Sequence, residues 1–457
     1  MSDLSLLVDA SPLLAAGGGL WWARAKRPAV YWSLVQMPAT WARFTVTYRS
    51  TMDACGLTVR PSRLRMLLAR AARREVQPVP PRVLLVTPTT TGLRVRLRLP
   101  AGLEPADVAA ASGRLRHAWG VHAVNVVETK PGVVELRMTG YDVLRRVRMP
   151  RRARSGPMVV PVAVREDGTP FVRDYLKVPH ALTLGANQSG KSMYHRNLIK
   201  KLASQRVALV GIDCKRGVEQ SAASPRLSAL ATDPTQALEL LDALVEEMER
   251  RYDLLKEAQG IAWDTAPGEI TADIWGLAED ERPVPIVVFI DEVAELFLAW
   301  TRKDEERRDR IVTQLIRLAQ LARAVGIFLE VCGQRFGSEL GKGATMLRAQ
   351  LTGRVVHRVA DKQTAEMGLG DLSPEAVPAA TSIPPDRPGT AVAADASGGW
   401  SRIRTPLTSL ADMATACRLH AHLVPDVPAL APFRPQVPAE PATATPVRLI
   451  KPVPAAE

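Results

Sequence analysis

Eight consecutive residues, Gly185-Ala186-Asn187-Gln188-Ser189-Gly190-Lys191-Ser192, have the spacing G-x-x-x-x-G-K-S, which suits a nucleoside triphosphate. The glycines let backbone N–H groups close on phosphate oxygens. Lys191 is expected to reach the β and γ oxygens, and the Ser192 hydroxyl to ligate Mg²⁺. About one hundred residues later, Pro285-Ile286-Val287-Val288-Phe289-Ile290 runs unbroken into Asp291-Glu292. Here Asp291 is expected to hold Mg²⁺ and Glu292 to polarise a water for attack on the γ-phosphate. A Gly/Ser turn before a lysine, or two solvated acids at a strand end, is commonplace alone. In this order and separation they predict ATP hydrolysis, with ATP and Mg²⁺ as cofactors.

Such groups need elements that bring them together. Ala181-Leu182-Thr183-Leu184 reads as the strand before the glycine loop, and the run from Lys191 toward Leu202 as the helix after it. Val207 to Asp213 is a second buried strand. Asp233-Pro234-Thr235-Gln236 starts a helix whose apolar face carries Leu238, Leu241, Val245, Met248, Tyr252 and Leu255. A further helix over about 304–324 presents Ile311, Leu315, Leu318 and Ala322, and strands follow at Ile327–Cys332 and Arg354–Val359. Strands alternating with helices predict an α/β fold, a parallel sheet covered by helices on both faces. Ahead of it, Val83–Val86, Leu93–Leu99, a helix with Val108, Leu115 and Trp119, then Ala123–Val127 and Val133–Met138 give the order ββαββ of a small α+β domain. The expected divisions are 1–54 (apolar, aromatic and basic), 55–80 (basic helix and linker), 81–154 (small α+β), 155–400 (motor) and 401–457 (helix and flexible Pro/Ala-rich tail, loose from about Val424).

The chain of 457 residues is 46% hydrophobic and 23% charged, which excludes a disordered or polytopic membrane protein. Its net charge of +13 is unevenly spread: residues 1–154 carry +16 and the remainder −3. A basic block of that size suits a polyanion, either nucleic acid or an anionic membrane surface. Leu4 to Trp22 is uncharged apart from Asp9, but Pro12 and Gly17-Gly18-Gly19 interrupt it. With Trp21, Trp22, Trp32 and Trp41 near basic residues, it suits contact with a membrane interface better than a span, the alternative being that these tryptophans are packing residues. Cys55, Cys214, Cys332 and Cys417 are too scattered for a zinc site or disulfide framework, and they predict a reducing cytoplasm.

Over about 155–395 the chain resembles the FtsK/SpoIIIE family of hexameric double-stranded DNA translocases. The resemblance rests on the glycine loop together with Ile212-Asp213-Cys214-Lys215-Arg216, Glu247-Met248-Glu249-Arg250-Arg251-Tyr252, Phe289-Ile290-Asp291-Glu292, Leu321 to Ile327, Gly333-Gln334-Arg335 and Arg358 to Lys362. Residues 83–138 look like the small domain preceding the motor in that family, and the Arg/Pro/Ala-rich style is similar to actinobacterial conjugation proteins. The resemblance implies a RecA-like motor, a hexameric ring and duplex DNA as partner. The location expected from the scattered cysteines and the N-terminal segment is cytoplasmic, peripheral at the inner face of the plasma membrane. Gln334 would be the polar sensor of the γ-phosphate, and Arg348, Arg354 or Arg358 the arginine offered to a neighbouring subunit. Lys215, Arg335 and Lys342 would face DNA in a central channel.

Asn187-Gln188 stands where the family usually has Thr-Gly, and Arg335-Phe336 where it has Arg-Pro. About sixty residues follow Gly399, too few and too rich in proline for a winged-helix reading module. Plasmid or integrative-element transfer is the expected role, with chromosome partitioning as the alternative. A type VII-like secretion ATPase is disfavoured, because such chains carry several motor domains and this one has a single P-loop.

Overall fold

Alternation along the chain decides which side of each strand is buried. The computed structural model describes residues 26–61, 77–150, 155–261, 265, 268, 270–394 and 399–436. The apolar segment Leu4–Trp22, most of the basic helix expected over 55–77, and the last 21 residues lie outside them. Among the described residues no helix is long and apolar enough to cross a membrane. The chain divides into two compact units: Met1–Ala153 with Ala163–Phe171 and Ser401–Pro406, and Arg154–Val162 with Val172–Trp400 and Leu407–Glu457.

The first unit contains helix α1 (Met37–Ala54) and strands β1 (Arg82–Pro88) and β2 (Gly92–Arg98). Helices α2 (Pro105–Ala110) and α3 (Ser112–Trp119) follow, then β3 (Ala123–Lys130) and β4 (Val133–Thr139). The strands form an antiparallel sheet in the order β1-β2-β4-β3. Leu93, Val95 and Leu97 are buried with Val134, Leu136 and Met138, and they pack with Val108, Leu115 and Trp119 of α2 and α3. Phe44 of α1 meets the Trp119 ring edge-on at 5.1 Å. Of the tryptophans expected at a membrane, Trp32 is fully buried against Gly140, where a Cβ would lie 1.9 Å from its ring; Trp41 is 40% exposed. Trp21 and Trp22 lie outside the described residues. Strands β5 (Val159–Arg165), β6 (Pro170–Asp174) and β14 (Trp400–Arg404) are shared between the units.

The second unit is built on β7 (Ala181–Leu184), β8 (Ala208–Ile212), β9 (Leu227–Ala231), β10 (Ile286–Ile290), β11 (Ile327–Gly333), β12 (Gly353–His357) and β13 (Thr390–Ala394). Their order is β13-β12-β7-β11-β10-β8-β9, parallel from β12 to β9, with β13 antiparallel to β12. Every residue of β8, β10 and β11 is buried, as continuous apolar runs require of a sheet covered on both faces. Ile286, Val288 and Ile290 join the core beneath α5 (Pro234–Gln259) and α6 (Arg302–Leu321), whereas Phe289 faces His195 of α4 (Lys191–Leu202).

Local chemistry sets the helix ends. The Asp233 carboxylate accepts from the N–H groups of Thr235 and Gln236, with Pro234 in the first turn, as expected. Helix α6 starts at Arg302 rather than near 304, because Thr301 and Asp304 form a reciprocal capping box. It stops at Leu321, and Gly326 (φ +72°) turns the chain into β11. The expectation of a loose tail from Val424 is corrected in part. Val427 and Leu430 are buried in the core, and the turn Pro428–Phe433 packs on β9 and α5.

Arg251 explains much of the Glu247–Tyr252 block. Fully buried, it donates to Glu247 (2.7 Å) and to the carbonyls of Val325 and Val284 (both 2.9 Å), tying α5 to the turns before β11 and β10. Replacing its guanidinium leaves the buried Val325 carbonyl, the half-buried Val284 carbonyl and the buried Glu247 carboxylate without this donor. Arg251→Met is expected to destabilise the chain by about 3 kcal/mol, read from denaturant midpoints, whereas exposed Lys256→Met should change it by less than about 0.5 kcal/mol.

Candidate active site

Strands β12, β7, β11, β10 and β8 run parallel, so their carboxyl ends and the segments that follow share one sheet edge. The glycine loop leaves β7, and Lys191 opens α4. Lys191 is 9% exposed; its Nζ donates to the carbonyls of Gly185 (2.7 Å) and Ala186 (3.2 Å), holding the ammonium inside the loop. The Ala186 N–H donates to the Arg358 carbonyl after β12, and the Gly389 N–H to the Ser189 carbonyl. Gly190 has φ +110°, and a Cβ there would lie 2.3 Å from Gly389 N. Gln188 also has positive φ, +59°, the strained conformation expected where the family prefers glycine.

Asp291 and Glu292 follow β10, 5% and 7% exposed. The Gln334 N–H, at the end of β11, donates to Glu292 Oε1 (3.2 Å). Burial pushes the Glu292 carboxyl above its ordinary value, against the pull of Lys215, Lys191 and the Gln334 N–H. A carboxylate so shifted is better suited to accept a proton near neutrality. Lys215 lies among these acids, with its Nζ 3.1 Å from Asp291 Oδ2 and 3.8 Å from Glu292 Oε2. Burial opposes its charge, but Asp291 and Glu292 outweigh that and raise its pKa. Asp213, fully buried at the end of β8, accepts from the N–H groups of Lys215, Glu219 and Gln220 and fixes the loop that presents Lys215. Beneath the glycine loop, burial takes His357 down to about 3 and His195 to about 4, so both rings are neutral.

Residues 20–140 match the actinomycete conjugal transfer protein N-terminal domain, and residues 143–338 match the FtsK/SpoIIIE family. Transfer protein TraSA of Streptomyces ambofaciens is 59% identical over 394 residues, 86% of this chain and 95% of that protein. The chain belongs to the FtsK/SpoIIIE family. A sporulation regulatory protein of Streptomyces azureus is 66% identical over 281 residues, covering 62% of this chain and 89% of the relative. DNA translocase FtsK of Haemophilus influenzae is 29% identical over 311 residues, and the match covers 61% of this chain but 56% of that longer protein. Among solved structures, the pCW3 conjugation coupling protein TcpA, in its monomer form with ATPγS, shares the fold. Its TM-score is 0.52 at 19% identity, over 78% of this chain and 98% of that one. Membership in this P-loop ATPase family makes nucleotide binding a property of the chain.

Several family-based expectations land elsewhere. Lys215, expected in a DNA channel, is exposed and pairs with Asp291. Arg354 is 2% exposed within β12, donates to the Arg348 carbonyl (2.8 Å) and is taken down to about 10 by burial. An arginine offered to another subunit must leave its own surface, and the burial of Arg354 does not fit that requirement. Arg358 donates to the Asn187 carbonyl (3.2 Å) of its own glycine loop. Arg348 donates to the Phe336 carbonyl and lies 3.6 Å from Asp371. Gln334, Arg335 and Lys342 are exposed, with Arg335 donating to Gln363. Sequence reasoning missed Asp213 as the organiser of the Lys215 loop and Gly389 as the wall of the glycine loop. The Ile212–Arg216 block signalled the first; nothing signalled the second.

Gly190→Ala would force a Cβ into Gly389. It is expected to cost about 2–4 kcal/mol and to weaken nucleotide binding at least tenfold, read by thermal unfolding and ATPγS titration. Gly113→Ala, whose Cβ meets open space on a helix, should leave both unharmed.

Proposed function

We propose that this chain is an ATP-driven double-stranded DNA translocase that moves plasmid or integrative-element DNA between cells. One observation supports this above the rest: a single chain joins the FtsK/SpoIIIE-type edge of glycine loop and paired acids to an actinomycete conjugal transfer domain, in the arrangement of the TraSA relative. Residues Gly185 to Ser192 bind the triphosphate, with backbone N–H groups and Lys191 on its phosphates. Ser192, Asp291 and Glu292 form an all-oxygen donor set that fits a hard cation. Ser192 and Asp291 would hold Mg²⁺, which supplies charge neutralisation at the transferring phosphate. Glu292 orients the attacking water and takes its proton; Gln334, joined to Glu292 through its backbone, senses the γ-phosphate.

Lys215 sets the charge at Asp291 and Glu292 and links them to the loop after β8. Assembly as a hexameric ring would bring a neighbour's arginine to this edge, with Arg348 and Arg358 as the candidates. Arg335 and Lys342, both exposed, are the candidates for gripping the DNA backbone. Loss of the γ-phosphate would then release contacts between subunits and convert chemistry into movement.

The test is ATP turnover by the full chain with duplex, single-stranded or no DNA across a salt series. Duplex DNA should stimulate turnover at low salt, and Lys191→Ala should lower it about a hundredfold or more. Activity needs ionised Glu292, whose pKa is raised, so the rate should fall as pH drops through that raised value, and Glu292→Gln should lower turnover about a hundredfold or more at every pH. Equal turnover with and without duplex contradicts the proposal.

A further inference from the structure

Strand β2 alternates Leu93, Val95 and Leu97 with Arg94, Arg96 and Arg98. The leucines and valine lie in the core beneath α2 and α3. Period-two geometry therefore puts all three arginines on the opposite face of the sheet. Register extends the row across strands. Arg82 of β1 stands opposite Arg98, and Arg137 of β4 opposite Arg94. Glu135, opposite Arg96, is the acid among these positions. It is 5% exposed and accepts from Arg96 (3.0 Å) and Arg137 (3.1 Å), so it braces two guanidiniums. Arg137 also lies 3.4 Å from Asp167. Arg82, Arg96 and Arg98 are exposed and Arg94 half-buried. No ion pair engages Arg82, Arg94 or Arg98 among the described residues.

We infer that this arginine-bearing sheet face of the N-terminal unit is a second DNA site, one that grips the phosphodiester backbone of the duplex. The inference rests on the reading of duplex DNA as substrate and locates a grip outside the motor. Charge complementarity and spacing carry it. Alternate residues on a strand are about 6.7 Å apart, roughly two base-pair rises, so successive arginines meet phosphates at regular intervals. Guanidinium forks suit phosphate oxygens, and contacts of this kind hold a sliding polymer without reading its sequence. A lipid surface is the less favoured occupant. The face carries no tryptophan or tyrosine, and its exposed apolar side chains, Leu84 and Leu85, are confined to the edge strand β1.

The variant Arg82→Gln/Arg94→Gln/Arg98→Gln keeps Arg96 and Arg137 on Glu135 and should leave the sheet folded, with an unchanged circular dichroism spectrum. In the full chain without nucleotide, its duplex affinity at 0.1 M salt should fall at least about tenfold. The slope of log affinity against log salt should flatten by about 3, close to one per lost phosphate contact. ATPγS affinity should be unchanged. A photo-crosslinker in place of Thr87, which sits opposite Arg94, should join to duplex DNA. If wild type binds duplex but the variant keeps its slope and the crosslink is absent, this inference is overturned while the translocase reading stands. If wild type binds no duplex, both fall. If the variant loses phosphatidylglycerol vesicles but keeps DNA, the face belongs to lipid and the inference is wrong.

Discussion

Everything at the active edge depends on how closely backbone approaches backbone around the glycine loop. Gly190 sits where a single carbon would collide with Gly389, and the loop is hydrogen-bonded to the Arg358 carbonyl on one side and the Gly389 N–H on the other. Those contacts tie the loop to its neighbours within the chain itself, and a loop shaped in advance needs little reorganisation of its N–H groups to meet phosphate. The parallel sheet makes the wall possible by delivering β7, β12, β11 and β10 to the same edge. The neutral, buried His357 and His195 underneath fill space without adding a second positive charge that would compete with Lys191 for the anion.

The strands and the chemistry-bearing ends were legible because they follow from local rules. The apolar run ending in Asp291-Glu292 reads as a doubly covered strand with acids at its mouth, and its place about one hundred residues after the glycine loop and Lys191 gives both their meaning. The arginines were harder, because sequence separates charged residues only by type and not by depth. Arg251, Arg354 and Arg98 look alike in one dimension. One is buried on an acid and two carbonyls, one is buried beneath the sheet edge, and one stands in solvent. The same blindness applies to Lys215, whose pairing with the carboxylates of Asp291 and Glu292, through the loop held by Asp213, no one-dimensional pattern announces.

Long-range contacts account for the remaining differences. No periodicity announces that the Pro388–Gly389 turn will wall the glycine loop, or that Val427 and Leu430 of a proline-rich tail will complete the core. Proline restricts the backbone without preventing burial, so composition alone misjudged that segment.

The central claim is that triphosphate hydrolysis at this edge drives net motion along duplex DNA. Displacement of a labelled third strand from a duplex by the full chain tests it most directly. With ATP the wild-type chain should strip the third strand at a rate that scales with the duplex length on the approach side, and neither ADP nor Lys191→Ala should support it. Stripping that is equally fast without hydrolysis, or hydrolysis with no stripping at all, would contradict the account.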